Sequence, residues 1–293
     1  MADRQLRLFA HGKPLLDRIG PEFFRATPRG PGVYLMTGAR GEVLYVGQSG
    51  NLRARLNCYK NGNPDALPRR IVRLIHSVAS VTWEECASRQ LARVRENELL
   101  RLHRPKFNRV NTYPEGYWFI GLVARDEQLT LFRSRERLSY QKYVYGAFKG
   151  GAIYGFGALL RLVWSAIYQP TSPYGLPRQL VSARPPTRFT VMARSPKSAE
   201  AHLIERIHGY LSGQSEELIE WLTRMVRTEE LSLFHRNFIA ANMEMLQRFF
   251  ENGPRRILRL KREHGLDAGL VRKDELDDLL ALSVERAELS VKR

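Results

Sequence analysis

Gly32-Val33-Tyr34-Leu35-Met36-Thr37, then Gly38-Ala39-Arg40-Gly41, then Glu42-Val43-Leu44-Tyr45-Val46 and Gly47-Gln48-Ser49 form the stretch whose reading decides the fold. The first six residues read as a short strand, and Glu42 to Val46 as another. The turn between them is bracketed by Gly38 and Gly41, so the two strands are expected to pair as a hairpin. Tyr34 and Tyr45 both fall on these strands, where alternation alone also accommodates them as ordinary packing residues.

Outward from the hairpin the pattern turns helical. Asn51 is placed to cap a helix carrying Leu52, Arg53, Arg55, Leu56 and Tyr59, which breaks at Asn61-Gly62-Asn63-Pro64. Pro68 to Ile75 reads as a second short helix, and the apolar residues around Val78 and Val81 as a third strand. Thr82 with Glu85 has the spacing of a capping box. A helix with Leu91, Val94, Leu99 and Leu102 on its apolar face should follow and stop before Pro105.

The chain has 293 residues, enough for one large domain or two to three small ones. Lys and Arg number 47 against 30 acids, a formal charge of +17. Such an excess argues for a polyanionic partner, nucleic acid first and an anionic membrane surface second. It is unevenly spread: residues 1–110 carry 20 basic and 9 acidic side chains, residues 133–194 carry 10 and one, and residues 195–252 carry 6 and 9. Two basic blocks are thus followed by a slightly acidic stretch. Cys58 and Cys86 are the only cysteines, and their spacing excludes a cysteine-built zinc or iron–sulfur site. The first 20 residues have no apolar run of signal-peptide length, and Ala158–Ile167 is too short to span a bilayer and is broken by Arg161. No membrane association is expected, and the expected location is the cytoplasm, associated with the nucleoid.

Taken together, Gly32-Val33-Tyr34, Tyr45-Val46-Gly47-Gln48-Ser49, Asn51-Leu52-Arg53-Ala54-Arg55, Glu96 and Pro105-Lys106-Phe107-Asn108 resemble the signature of the GIY-YIG endonuclease family, in the order that family requires. The resemblance covers about residues 30–109 and is nearest to the UvrC-like branch, with its short relative Cho. It implies an α+β fold, an α/β sandwich in which a small mixed sheet is flanked by helices, followed here by a mainly α-helical C-terminal region. It also implies a site of Tyr34, Tyr45, Arg55, Tyr59, Glu96 and Asn108, with Glu96 as the ligand of one divalent cation, Mg²⁺ or Mn²⁺. Gln48, Arg53, Lys60, Arg69 and Arg70 are the expected contacts to DNA phosphates. Two positions depart from the UvrC-like pattern: Gln48 stands where lysine is usual, and Glu98 where asparagine is usual.

These residue types suit phosphodiester hydrolysis. A hard cation held by carboxylate and water neutralises charge on the phosphoryl oxygens. An arginine forks onto the phosphate. A tyrosine beside the metal, its pKa lowered from about 10 by the positive charge, takes the proton of the attacking water. The resemblance suggests Tyr45 for that role, supported by Tyr34. Each residue also has a plainer reading: Arg53 and Arg55 do not share one helix face, Glu96 or Glu98 among arginines can be a surface ion pair, and Asn108 can be a turn former.

The expected organisation is an arm at 1–20, the nuclease domain at 21–112, a basic aromatic-rich module with a Pro-rich connector at 113–194, a helical region at 195–252 and a charged tail at 253–293. Strands are expected at Tyr117–Val123 and Leu129–Phe132, and helices at Leu159–Ile167, Ser198–Leu211, Glu216–Arg227 and Glu229–Phe250, the last ending at Asn252-Gly253-Pro254. The basic aromatic module reads equally as a DNA-backbone groove or as a small core with a basic rim. The helical region is similar to the segment leading to the UvrB-contacting hairpin of UvrC-like proteins, and serves equally as plain scaffold. Function is therefore expected to be single-strand incision of double-stranded, damaged or distorted DNA, with UvrB as a candidate partner. The alternatives are a structure-specific or mobile-element nuclease outside excision repair, and a DNA-binding or partner-docking protein on a weakened nuclease scaffold.

Overall fold

Strand β1 (Gly32–Thr37) runs in the middle of a three-stranded sheet, with β2 (Val43–Ser49) on one side and β3 (Ser80–Glu85) on the other, both antiparallel to it. The expected hairpin is present: Gly38 N–H donates to the Glu42 carbonyl at 2.9 Å. Gly41 turns the chain at φ 82°, in the left-handed region that glycine enters without a Cβ penalty. The computed structural model describes residues 13–61, 67–108, 112–113, 116–125, 128–137, 143–182, 184–192, 197–226, 231–266 and 270–290. It divides the chain into two compact units, Met1–Pro114 with Asp277–Arg293, and Glu115–Leu276.

In the first unit, helices cover both faces of the sheet. On one face lie α1 (Pro14–Ile19), α2 (Pro21–Ala26), α3 (Leu52–Asn61) and α4 (Arg69–Ser77). Tyr34 and Met36 of β1 pack there against Leu15, Phe24, Leu52, Leu56, Tyr59 and Leu74. On the other face, Val33 and Val46 pack against Ala92, Leu99 and Leu100 of α5 (Arg89–His103). The α+β class and the helices flanking a small sheet are as expected, and every described pairing within that sheet is antiparallel.

Three local readings change. Residues 1–12 of the expected arm lie outside the described residues, whereas α1 follows directly and buries Leu15 in the core. Thr82 and Glu85 do not cap α5. Both belong to β3, whose six-residue ladder with β1 outweighs a local cap, and Ser88 takes over by accepting the Leu91 N–H at 3.2 Å. Strand β2 runs three residues past Val46 to Ser49.

The second unit contains its own antiparallel sheet, ordered β6-β4-β5-β7, from β4 (Trp118–Arg125), β5 (Gln128–Ser134), β6 (Tyr143–Phe148) and β7 (Arg188–Met192). Helix α6 (Ala152–Tyr168) begins seven residues before the expected Leu159, and the connector after it holds the short α7 (Arg178–Val181). The phenylalanines of this block are core: Phe119, Phe132, Phe148, Phe156 and Phe189 are all buried. Burial thus favours the reading of a core with a basic rim, formed in part by Arg133 and Arg135 over the Trp118 ring at 4.3 and 5.0 Å.

Helices α8 (Lys197–Leu211), α9 (Glu217–Met225) and α10 (Leu233–Phe250) follow. Helix α10 packs on α6, and Asn242 Oδ1 accepts from the half-buried Arg161 Nε at 2.6 Å. The expected stop at Asn252-Gly253-Pro254 does not occur. A π-helical turn, Glu251–Arg255, carries the chain into α11 (Arg256–Glu263), its wider ring accommodating the proline that lacks an N–H donor. Helix α12 (Lys273–Ser290) closes the described chain. Among the described residues no helix is long and apolar enough to cross a membrane.

Candidate active site

Tyr34, Arg55 and Tyr59 meet on the α3 face of the sheet. Arg55 and Tyr59 are four residues apart on α3 and so share one side of it. The Tyr34 and Tyr59 hydroxyls hydrogen-bond at 3.0 Å, Arg55 Nε donates to Tyr34 Oη at 3.3 Å, and the Arg55 guanidinium lies 5.1 Å from the Tyr59 ring centre. Tyr45, on the same face of β2, has its ring centre 6.1 Å from that of Tyr34. Gly47 opposes Tyr34 across the ladder, and a Cβ there would stand 2.4 Å from the Tyr34 hydroxyl. Only glycine lets the ring reach Arg55 along this path.

The tyrosines differ in environment. Tyr34 is fully buried, and burial together with Tyr59 and Tyr45 pushes its hydroxyl well above the usual tyrosine range. Burial, with Tyr45 beside it, also pushes Tyr59 up to about 12. Both directions oppose proton loss in the metal-free protein. Tyr45 is only half-buried, the most exposed of the three tyrosines, and its side chain hydrogen-bonds to Tyr59.

Glu96 reaches the same strand from the opposite layer. Successive residues of α5 point about 100° apart, and here that separates three roles. Arg95 pairs on the surface with Glu84 and Glu98 at 3.0 and 2.9 Å. Asn97 turns to Asp278 of α12, donating at 2.9 Å. Glu96 faces β2, where the Gln48 backbone N–H bonds to it. Burial raises its carboxyl to about 7 although Arg93, Arg55 and that N–H all favour the ionised form. Glu98 is occupied by Arg95, so geometry separates the two glutamates that spacing left in competition.

Asn108 is not aimed at the tyrosines. Its amide clasps the outer edge of β2: Oδ1 accepts the Val46 N–H at 3.0 Å and Nδ2 donates to the Val46 carbonyl at 2.8 Å. Phe107 N–H adds a bond to the Leu44 carbonyl at 3.0 Å. The motif's tail thus serves as a one-residue partner for an edge strand.

The expected phosphate contacts divide. Arg53 points away from Arg55 and ties α3 to α2, its Nε donating to Thr27 O at 2.6 Å and Nη2 to Arg25 O at 3.0 Å. Lys60 lies over the Phe24 ring at 5.2 Å. Gln48 Oε1 and Arg70 Nη1 are buried without a hydrogen-bond partner, and Arg69 is exposed on α4. The sequence reading did not single out Arg93, Asp278 or the backbone of Val46. None forms a spacing motif, and only their positions in space connect them to the site.

The donor set fits one hard cation. Among the described residues no three His, Cys, Asp or Glu side chains gather as ligands, leaving the single half-buried Glu96 carboxylate. A hexa-coordinate Mg²⁺ that keeps most of its waters needs no more than one or two protein carboxylates.

A three-stranded antiparallel sheet between helical layers, with a Tyr–Tyr–Arg cluster on one side of its edge strand and a lone carboxylate on the other, defines the class. Residues 30–109 match the family model for the UvrC-like GIY-YIG domain, and this part of the chain belongs to the GIY-YIG family, close to the N-terminus of UvrC. A Mycobacterium tuberculosis protein named as a candidate bifunctional exonuclease/endonuclease is 39% identical over 96 residues, covering 33% of this chain and 15% of that protein. The UvrABC system protein C of an Arthrobacter species is 32% identical over 162 residues, covering 54% of this chain and 23% of that protein. The chain therefore spans less than a quarter of either relative. The magnesium-bound N-terminal GIY-YIG endonuclease domain of UvrC from Thermotoga maritima aligns at 24% identity and a TM-score of 0.27, covering 30% of this chain and 93% of that one.

Proposed function

We propose that the chain is a divalent-metal-dependent endodeoxyribonuclease that makes a single incision through the β2 edge of its first unit. The observation that carries this reading is the convergence of the Arg55–Tyr34–Tyr59 cluster and the Glu96 carboxylate on one strand from opposite layers. Mg²⁺ or Mn²⁺ held by Glu96 would supply positive charge to the scissile phosphate and its leaving oxygen. Arg55, held at its Nε by Tyr34, keeps its terminal nitrogens for phosphate oxygens. Tyr45, the most exposed of the three tyrosines, is the group for proton transfer from water, while Tyr34 and Tyr59 fix the arginine. Asn108 holds the strand that carries Tyr45, and so acts as a positioning residue.

The basic charge and the similarity to UvrABC system protein C support double-stranded DNA, nicked near damage or distortion, as the substrate and UvrB as a partner. Among the described residues of the helical region, Leu233 and Phe234 at the start of α10 and Met225 at the end of α9 are exposed apolar side chains that such a partner could cover. A nuclease acting outside excision repair is the second reading, supported by the identity to the M. tuberculosis protein, which is not named for that pathway.

Cleavage of end-labelled duplexes, lesion-bearing and plain, with Mg²⁺ or Mn²⁺ and with or without UvrB, tests both. Metal-dependent nicking that is lost in Glu96→Gln and Arg55→Ala is the expected result. No cleavage under any condition would overturn the enzyme reading, and preference for branched undamaged DNA would favour the second.

A further inference from the structure

A second concentration of positive charge lies at the start of β2. Arg40 from the hairpin turn, Arg73 from α4, and Arg104 and Lys106 from the segment after α5 surround a cleft of about 410 Å³, with Leu44 and Phe107 in its wall. All four cations are exposed, and among the described residues Glu42 is the one acid lining the cleft. Its carboxylate already accepts the Arg40 backbone N–H at 3.1 Å. Cations drawn from three separate segments into one concave site give it a positive field that favours a polyanion. Arg104 is fixed in place, its backbone left-handed at φ 44° and its guanidinium 5.4 Å from the Tyr113 ring centre.

The cleft is mechanically joined to the candidate active site. Phe107 and Asn108 bond to Leu44 and Val46 of β2, so the tail that presents Lys106 is clamped to the strand that presents Tyr45 and Gln48. From Leu44 to Gln48 an extended strand covers ~13 Å. Phosphates of one strand wind about the duplex axis as they rise about 3.4 Å each, so a straight line of this length joins phosphates roughly two nucleotides apart.

We propose that this cleft is a second phosphate cradle, gripping the DNA backbone about two nucleotides from the phosphate held at Arg55 and Glu96. The proposal rests on the nuclease reading above and adds the residues that set the enzyme's register on DNA. Arginine and lysine grip phosphates without reading sequence, so the cradle contributes affinity and register and no base preference.

The test uses the full chain carrying Glu96→Gln, so that binding is read without cleavage. Anisotropy of a labelled duplex is measured from low to high salt for this parent and for added Arg73→Ala with Lys106→Ala. The double change is expected to weaken binding roughly tenfold and to flatten the slope of log K against log salt by about two. The charge-keeping pair Arg73→Lys with Lys106→Arg should restore most of the affinity. In the active protein, a neutral methylphosphonate scanned along the nicked strand should slow cleavage at about two nucleotides from the nick, and lose that effect in the Arg73→Ala, Lys106→Ala variant. An unchanged salt slope in a parent that binds DNA would overturn the cradle alone. Failure of the parent to bind DNA at all would overturn the nuclease reading with it.

Discussion

Asn108 and Val46 are joined by two hydrogen bonds, one in each direction, between a side-chain amide and the backbone of an edge strand. A free edge would leave the Val46 N–H and carbonyl to water or to another chain. The clasp instead fixes the strand on which Tyr45, Gly47 and Gln48 are carried. Asn108→Ala should destabilise the protein by about 1–2 kcal/mol, the range for lost, partly buried hydrogen bonds. The turnover number should fall more than the Michaelis constant rises. Amide exchange at Val46 should quicken in the variant; an unchanged exchange rate would mean that the clasp does not hold the strand.

Glu96 sets a pH dependence whose sign follows from its raised carboxyl. Its folded value of about 7 lies above the ordinary 4.5, so between these values the native state binds more protons than the unfolded chain. In the metal-free protein this group's contribution to stability is therefore greatest below that window and is lost as pH rises through about 7. Metal binding has the opposite sign, because only the ionised carboxylate is a ligand. Calorimetric titration with Mn²⁺ should show affinity rising about tenfold per pH unit below 7 and levelling above it. Glu96→Gln should abolish that rise and raise the melting temperature of the metal-free protein at about pH 8. A pH-independent affinity would remove Glu96 from the metal.

The tyrosines should separate into one that positions and one that reacts. Tyr34→Phe leaves Tyr59 Oη and Arg55 Nε without their shared partner in a buried site, a cost of roughly 1–3 kcal/mol. Its melting temperature and its rate should drop together. Tyr45→Phe should lower the rate by about two orders of magnitude, the size of a lost general base, with the melting temperature held. The reverse pattern would exchange the two roles.

Arg101 and Asp278 bind the C-terminal helix α12 to the helix that carries Glu96. Arg101 donates to both Asp278 oxygens, at 3.1 and 2.9 Å, and Asn97 donates to Oδ1 at 2.9 Å. The pair is about three-quarters buried, with side-chain exposures of 22% and 24%. Asp278→Ala should cost about 2–4 kcal/mol, more than an exposed ion pair, because it removes the two-oxygen partner of a partly buried guanidinium. Denaturant unfolding with Arg101→Ala, Asp278→Ala and the double variant gives the coupling. Additive single effects would show that α12 does not depend on this contact.

The local elements of the first unit were legible in the sequence because their signals are local. Glycines at 38 and 41 placed the hairpin, Asn51 placed the start of α3 through its Oδ1 bond to the Ala54 N–H at 2.9 Å, and Pro105 followed the end of α5. The separated motif from Tyr34 to Asn108 named the family and the candidate residues. Where a local signal competed with a long-range ladder it misled: Thr82 and Glu85 have cap spacing, yet pairing with β1 claimed them. Strands β6 and β7 and the passage through Pro254 were missed for the same reason, since their pairing and packing partners lie far away in the chain.

What the sequence determined by itself is which residue types stand at which motif positions, and therefore the GIY-YIG class of residues 30–109. What only the tertiary structure decided is direction. Helix rotation sends Glu96 to β2, Glu98 to Arg95 and Asn97 to Asp278. Register sets Tyr34 against Gly47, and the edge of β2 takes up Asn108 as a clasp. A motif fixes spacing along the chain, whereas contact depends on helix phase, strand register and burial, and those are set only when distant segments pack together.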